Sequence, residues 1–388
     1  MARLPDYIGP IAMGLKMGVI TPGMDIVEEV FQTLKSAHQD DLIDDGDVVC
    51  ITESVVARSQ ENYIEVDEVS EILRSALNLD EDETLGVVFP ITSRNRFSMI
   101  LESIAKAVPK GKVIVQFPFP SDEVGNQVIS PEFVEKLGKE IITEEDMDEE
   151  KCVHPITEVN YVNYYKEIIE EEGAESEIVL CNDEKHILEY GPDGVIAADI
   201  HTREKTKESI KEDLDNCITL DEVCREGEVC SEWGLLGSNM SSGKKLKLAP
   251  KNGHEVVERL QDKVKDELCV DIEVIIYGDG AYKDPTSGIY ELADPQPAIA
   301  STHGLDHFRR GVKYKYLADK LYHEEDKDPK EIEKVLEKKK NEKKSENSME
   351  KEGTTPRRLE DLLGSLADLV SGSADAGTPV VLVKNFLG

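Results

Sequence analysis

The sequence is short of positive charge, of paired cysteines and of long apolar runs, and each shortage closes off a class of function. Lys and Arg number 45 against 81 Asp and Glu, a formal net charge of -36. A field of that sign repels a phosphate backbone, so general nucleic-acid binding is not expected. Any anionic substrate has to be met by a local basic or metal site. The 7 cysteines are odd in number and include no C-x-x-C pair, which argues for reduced thiols in a cytoplasm over a disulfide framework or zinc ribbon. No apolar run approaches the ~18 residues of a membrane span. The opening MARLPDYIGPIAMGLKMG also lacks the apolar core of a signal peptide, so a soluble cytoplasmic protein with no membrane partner is expected. The absence of a G-x-x-x-x-G-K loop excludes a simple P-loop, and the absence of a G-x-S-x-G elbow leaves nucleophilic hydrolysis without support.

What is present reads as alternating strands and helices. MDIVEEVFQTLKSA (24–37) puts Ile26, Val27, Val30, Phe31 and Leu34 on one helical face, and DVVCITESVVA (47–57) opens as a buried strand. TLGVVFPI, SMILESIAKAV and KVIVQFPF (84–119) have the spacing of a β–α–β unit. Ser130-Pro131 opens a further helix, and NYYKEIIEEEG (163–173) runs to a glycine stop. EIVLCN and GVIAADIH read as two strands joined in a hairpin around EYGPDG. Helices over 254–268 and 357–372 and strands from 274 and over 379–386 complete the pattern. The expected fold class is α+β: a mixed β-sheet core with flanking helices and a second lobe. The expected division is a core built from 1–84, 231–300 and 356–388, a second lobe over 85–230, and an insert over 301–355. Within that insert, 324–355 has almost no apolar residues and is expected to be exposed and mobile.

Chemistry in α/β proteins gathers where strands end. VIIYGDGAYKDPTSG (274–288) places Asp279 between two glycines at the mouth of an apolar strand. That is turn composition, and it is equally a carboxylate presented to a metal beside a backbone that phosphate oxygens can approach. TESVVARS (52–59) sets Glu53, Ser54 and Arg58 after a buried strand, where a helix start suits phosphate. SRNRFS (93–98) offers Arg94 and Arg96 for gripping a carboxylate or phosphate in a chain poor in cations. GLKMGVITPGMD (14–25), WGLLGSNMSSGKK (233–245) and VSGSADAGTP (370–379) are loops rich in small residues. STHGLDHFRRG (301–311) brings His303, Asp306 and His307 together, more simply read as surface residues than as metal ligands.

Taken in order, GLKMGVITPGMDI, DGDVVCITESVVARSQ, GLLGSNMSSGKKLKLAP, VIIYGDGAYKDPTSG and LLGSLADLVSGSADAGTPVVLVKNF resemble the coenzyme F-420-0:L-glutamate ligase family, of which this chain looks like a divergent member with insertions. The resemblance implies a γ-glutamyl ligase that uses GTP or ATP and a divalent metal, Mg2+ or Mn2+. Such an enzyme activates a carboxylate as an acyl phosphate, and the amino group of glutamate then displaces phosphate. The acceptor it implies is deazaflavin-like or folate-like, and the assembly a homodimer. By position it implies nucleotide contacts from Met17, Gly18, Val19, Ile20, Glu53, Ser54, Arg58, Ser238 and Asn239, and from Ser371, Gly372, Ser373 and Gly377 in the last loop. Asp279 matches the family's metal ligand, with Asp199 and Asp375 as further carboxylates. The chain departs from the family pattern at Leu236 and Gly237, where an Asp is usual, and at Ser373, where an acidic residue is usual. Those departures keep open a second reading, a nucleotide- or ligand-binding regulatory homologue with reduced catalysis.

Overall fold

The computed structural model describes residues 7–241, 243–279, 282–283, 290–291, 294–309, 313–340, 357–371 and 377–387. The fold is α+β. Its core is a mixed five-stranded sheet in the order Ile11–Leu15, Val380–Lys384, Val48–Thr52, Glu273–Tyr277, Ala298–Ser301. Only the pair Val48–Thr52 and Glu273–Tyr277 runs parallel, and the other neighbours are antiparallel. The runs VVCIT and VVLVK are buried along their whole length, as strands covered on both faces must be. Side chains alternate between those faces. Val49, Ile51, Val274, Ile276, Val380 and Leu382 share a cluster with residues of helices Ile26–Gln39 and Gly253–Leu268. Val48, Cys50, Ile275, Tyr277, Val381 and Val383 pack on the other side with Leu363 and Ala367 of helix Leu359–Ser371.

The second lobe is a six-stranded sheet in the order Ile141–Thr143, Glu175–Cys181, Lys112–Phe117, Thr84–Val88, Gly194–Ala197, Cys217–Thr219. All neighbours are parallel except Ile141–Thr143. Numbered along the chain, the parallel strands lie in the order 3-2-1-4-5, that of a doubly wound fold. Leu85, Val87, Val113 and Val115 cluster with residues of helices Val66–Ala76, Phe97–Ala107 and Tyr161–Glu171, while Val88, Ile114, Val179 and Val195 face Ile187 and Ile210. A short ladder of Asn239–Met240, Lys245–Lys247 and Tyr63–Glu65 lies between the two parts of the chain. Trp233 packs against both large clusters at the seam.

Two expectations change. Glu175–Cys181 and Gly194–Ala197 are not a hairpin: two other strands separate them, and the intervening residues form the 3-10 helix Glu184–Tyr190, which ends at Gly191 in the left-handed region. The turn residues were real, but they stop a helix. The segment from 324 is also not wholly exposed. Ile332 and Leu336 of helix Pro329–Lys340, spaced four apart, pack on Leu317 and Leu321 of helix Tyr314–His323, which share that spacing. Among the described residues no helix is long and apolar enough to cross a membrane.

Candidate functional site

The site forms at the carboxyl ends of the parallel pair Val48–Thr52 and Glu273–Tyr277. The first strand passes directly into helix Glu53–Ser59, which sets Glu53 on its first turn. Glu53 is 8% exposed, and its Oε1 accepts a bond of 3.0 Å from Lys247 Nζ, which also donates to Ser54 Oγ at 3.1 Å. Glu53 Oε2 is buried without a partner. Burial pushes the Glu53 carboxyl above the usual carboxylate range, and the Lys247 charge works against that rise. Lys247 is held in place by its ladder, opposite Tyr63 on one side and Asn239 on the other.

At the end of the second strand the chain turns through Gly278, whose N–H donates to Pro297 O at 2.9 Å. The Gly278 φ is not left-handed; the glycine is needed because a Cβ there would run into Asp294 Oδ2. That same Asp294 oxygen accepts the Asp279 N–H at 2.7 Å. Arg96, entering from the second lobe at the start of helix Phe97–Ala107, closes the cluster. Its Nη1 lies 2.6 Å from Asp294 Oδ1, and its Nη2 bonds Asp279 Oδ2. Burial, then the Asp294 charge, push the Asp279 carboxyl up to about 6 against the pull of Arg96, and Asp368 and Glu53 add to the rise. The result is a largely buried cluster of carboxylates Glu53, Asp279 and Asp294 and cations Arg96 and Lys247.

The structure divides the residues singled out from sequence. Asp279, Arg96 and Glu53 come together. Ser54 joins them through Lys247, and Asn239 through its ladder position. Ser238 is buried with its Oγ unpartnered, in the loop that passes closest to Asp294 at Gly237. Met17 N donates to Gly377 O at 3.0 Å, joining the first and last loops, while Gly18 and Val19 are exposed beside it. Ile20, by contrast, is a core side chain at 4% exposure. Ser371 Oγ donates to Thr378 O, tying the end of its helix to the start of the last strand. Gly372, Ser373 and Asp375 lie outside the described residues, as does Gly280. Arg94 does not join Arg96: it is exposed and sits beside the Tyr161 hydroxyl. Arg58 is exposed in the last turn of the helix that Glu53 opens.

Asp199 is held away from Asp279 by the second lobe. Its Oδ2 accepts from Thr202 Oγ1 at 2.6 Å and Thr206 Oγ1 at 3.0 Å, at the start of helix Arg203–Ile210. Glu123 accepts the N–H groups of Ile200 and His201 there, so the position where a doubly wound fold would receive a phosphate already carries a carboxylate. The residues that sequence reasoning missed are Lys247 and Asp294. Neither left a local signal: alternation in KLK puts Lys247 on the same face as the exposed Lys245, and Asp294 in ADPQP reads only as a turn.

The donor set suits a hard cation. Asp279 and Asp294 present carboxylate oxygens, and the buried Glu53 Oε2 is an acceptor with nothing to accept. Among the described residues, however, no three His, Cys, Asp or Glu side chains are grouped as a metal cage. No curated protein matches the chain. A family model described as F420-0:Gamma-glutamyl ligase matches residues 14–385, a span that contains every residue of this cluster, the whole six-stranded sheet and all of the five-stranded sheet but residues 11–13 of its first strand. The chain therefore belongs to the F420-0:gamma-glutamyl ligase family.

Proposed function

We propose that the protein is a nucleotide- and metal-dependent ligase that joins the amino group of glutamate to a carboxylate acceptor through an acyl phosphate. The observation that carries this reading is the charged cluster at the carboxyl ends of the parallel strand pair, built from Glu53, Lys247, Asp279, Asp294 and Arg96 inside the family match. Asp279 and Asp294, with Glu53 beside them, are the residues that would hold Mg2+ or Mn2+. When bound, the metal would neutralise charge on the transferred phosphoryl group. The chain's own residues then mainly bind and orient. Lys247 fixes Glu53, and its charge favours the ionised carboxylate against burial. The loop Gly237–Ser238–Asn239 and the exposed Gly18 and Val19 beside the joined loops at Met17 and Gly377 are the segments that would approach the nucleotide. In the first half-reaction the acceptor carboxylate oxygen takes the terminal phosphoryl group of GTP or ATP as that group's bond to the bridging oxygen breaks, and the nucleoside diphosphate leaves with the electron pair. In the second the glutamate nitrogen forms the amide bond as the carbon–oxygen bond to phosphate breaks. The electron pair leaves on phosphate, and the amine loses a proton.

The test is nucleotide turnover by purified protein with Mg2+ or Mn2+, glutamate and a panel of carboxylate acceptors. Phosphate release that requires both glutamate and one acceptor is the expected result. Absence of turnover with every acceptor, together with nucleotide binding that ignores Mn2+ in calorimetry, would replace this reading by the regulatory one.

A further inference from the structure

We propose that Arg96 is an internal cation that competes with a divalent metal for the Asp279–Asp294 pair, so that metal entry and the ion pair joining the second lobe to the core exclude one another. The inference rests on the metal-dependent reading above and concerns what happens to this chain's own side chains when that metal arrives.

The guanidinium grips the two carboxylates separately, one terminal nitrogen to each. With Arg96 in place, both Asp294 oxygens are engaged: Oδ1 by Arg96 and Oδ2 by the Asp279 N–H. Asp279 gives Oδ2 to Arg96. A hard cation needs carboxylate oxygens at about 2.0–2.6 Å. A cation that bridges this pair competes with the guanidinium for the same two carboxylates. Charge points the same way. Glu53, Asp279 and Asp294 face Arg96 and Lys247 in the cluster, with Asp368 adding a further negative charge. Withdrawing Arg96 leaves an excess that a dication offsets. Glu53 Oε2, buried and unpartnered within the same field, is an acceptor that Arg96 does not use and a metal would.

Arg96 reaches this site from the second lobe, and its base is fixed. Tyr165 Oη donates to Ile91 O at 2.6 Å and accepts from Ser93 N at 2.9 Å. Asp122 accepts from Thr92 N at 2.7 Å and from Thr92 Oγ1 at 2.8 Å. Displacing the guanidinium therefore removes two ion pairs between lobe and core without unravelling the loop that carries it.

The experiment is Mn2+ titration without nucleotide, followed by the paramagnetic resonance signal of free Mn2+, on wild type, Arg96→Ala, Arg96→Lys and Arg96→Ala/Asp279→Asn. Arg96→Ala is expected to bind Mn2+ at least tenfold more tightly than wild type, and the double variant to lose that gain. Arg96→Lys, whose single ammonium cannot hold both carboxylates in a fork, is expected to fall between wild type and Arg96→Ala. It carries the test alone should Arg96→Ala fail to fold. Mn2+ affinity in the Arg96 variants equal to or weaker than wild type overturns the proposal. Turnover with nucleotide is measured separately, so a failed ligase assay and a failed Mn2+ ordering are distinct results.

Discussion

Replacing Lys247 by Met tests the electrostatics of the site from its most buried pair. Lys247 and Glu53 side chains are 8% and 11% exposed and meet at 3.0 Å. At that separation the gross attraction is about 5 kcal/mol for an effective dielectric near 20. Most of it offsets desolvation, so the measurable cost is that of stranding Glu53: about 3–5 kcal/mol for breaking a buried pair from one side. The cost depends on pH in a defined direction. Burial already raises the Glu53 carboxyl above its ordinary 4.5, and losing Lys247 raises it further. A carboxyl raised in the folded state holds its proton more tightly there than in the unfolded chain. The penalty is then full above the folded-state value and disappears as pH falls toward 4.5. Urea unfolding at pH 5 and pH 8, followed by circular dichroism and by Trp233 fluorescence at the seam, is expected to show the full loss at pH 8 and less than half of it at pH 5. Glu53→Gln added to Lys247→Met removes the stranded charge and is expected to recover most of the stability. A loss of equal size at both pH values, or a double variant as unstable as the single one, would refute the reasoning.

Three further outcomes follow from the geometry. Gly278→Ala places a methyl group against Asp294 Oδ2 and is expected to reduce turnover at least tenfold while lowering the melting temperature only by a few degrees, read by steady-state kinetics beside a thermal melt. Arg94→Ala, which alters only an exposed side chain beside Tyr161, is expected to keep turnover within about twofold of wild type, where Arg96→Ala does not; equal losses would show that the two arginines share a role. Tyr165→Phe strips the hydroxyl that serves Ile91 O and Ser93 N and is expected to cost about 1–3 kcal/mol in denaturant unfolding; a change below 0.5 kcal/mol would mean that the Arg96 loop is anchored elsewhere.

The regular elements were largely legible because burial leaves a local trace. The uninterrupted VVCIT and VVLVK, and the one-sided helices Ile26–Gln39 and Gly253–Leu268, follow from composition and period alone. Strand partnership was not legible. EYGPDG has the residues of a tight turn, and nothing local distinguishes a hairpin from a helix stop followed by a crossover to a distant neighbour. The site was legible in the same proportion. Asp279 and Glu53 lie directly after apolar strands, where position alone marks them. Lys247 matters only because a distant ladder brings it beside Glu53, and Asp294 only because the chain returns beside Gly278 and Asp279, and a lone lysine or aspartate in a short segment has no period to read. Arg94 and Arg96 stand two residues apart, but the backbone turn into helix Phe97–Ala107 sends one to Tyr161 and the other to Asp279. The expectation that 324–355 is exposed missed one contact for a related reason: Ile332 and Leu336 gain their partners from the preceding helix.

Val380–Lys384 lies between Ile11–Leu15 and Val48–Thr52, and Lys384 fastens it from within, 2.6 Å from Asp47 Oδ2 and 3.0 Å from Asp44 Oδ2. The two earlier strands thus share a neighbour that leaves the ribosome long after both of them. The six-stranded sheet has no such dependence, since all its strands fall between Thr84 and Thr219. During synthesis the inserted lobe is able to close first, while the older half of the core sheet stands with an open edge. Its exposed VVCIT run is then the segment most in need of protection from other chains, and the arrival of residues 380–384 ends that exposure.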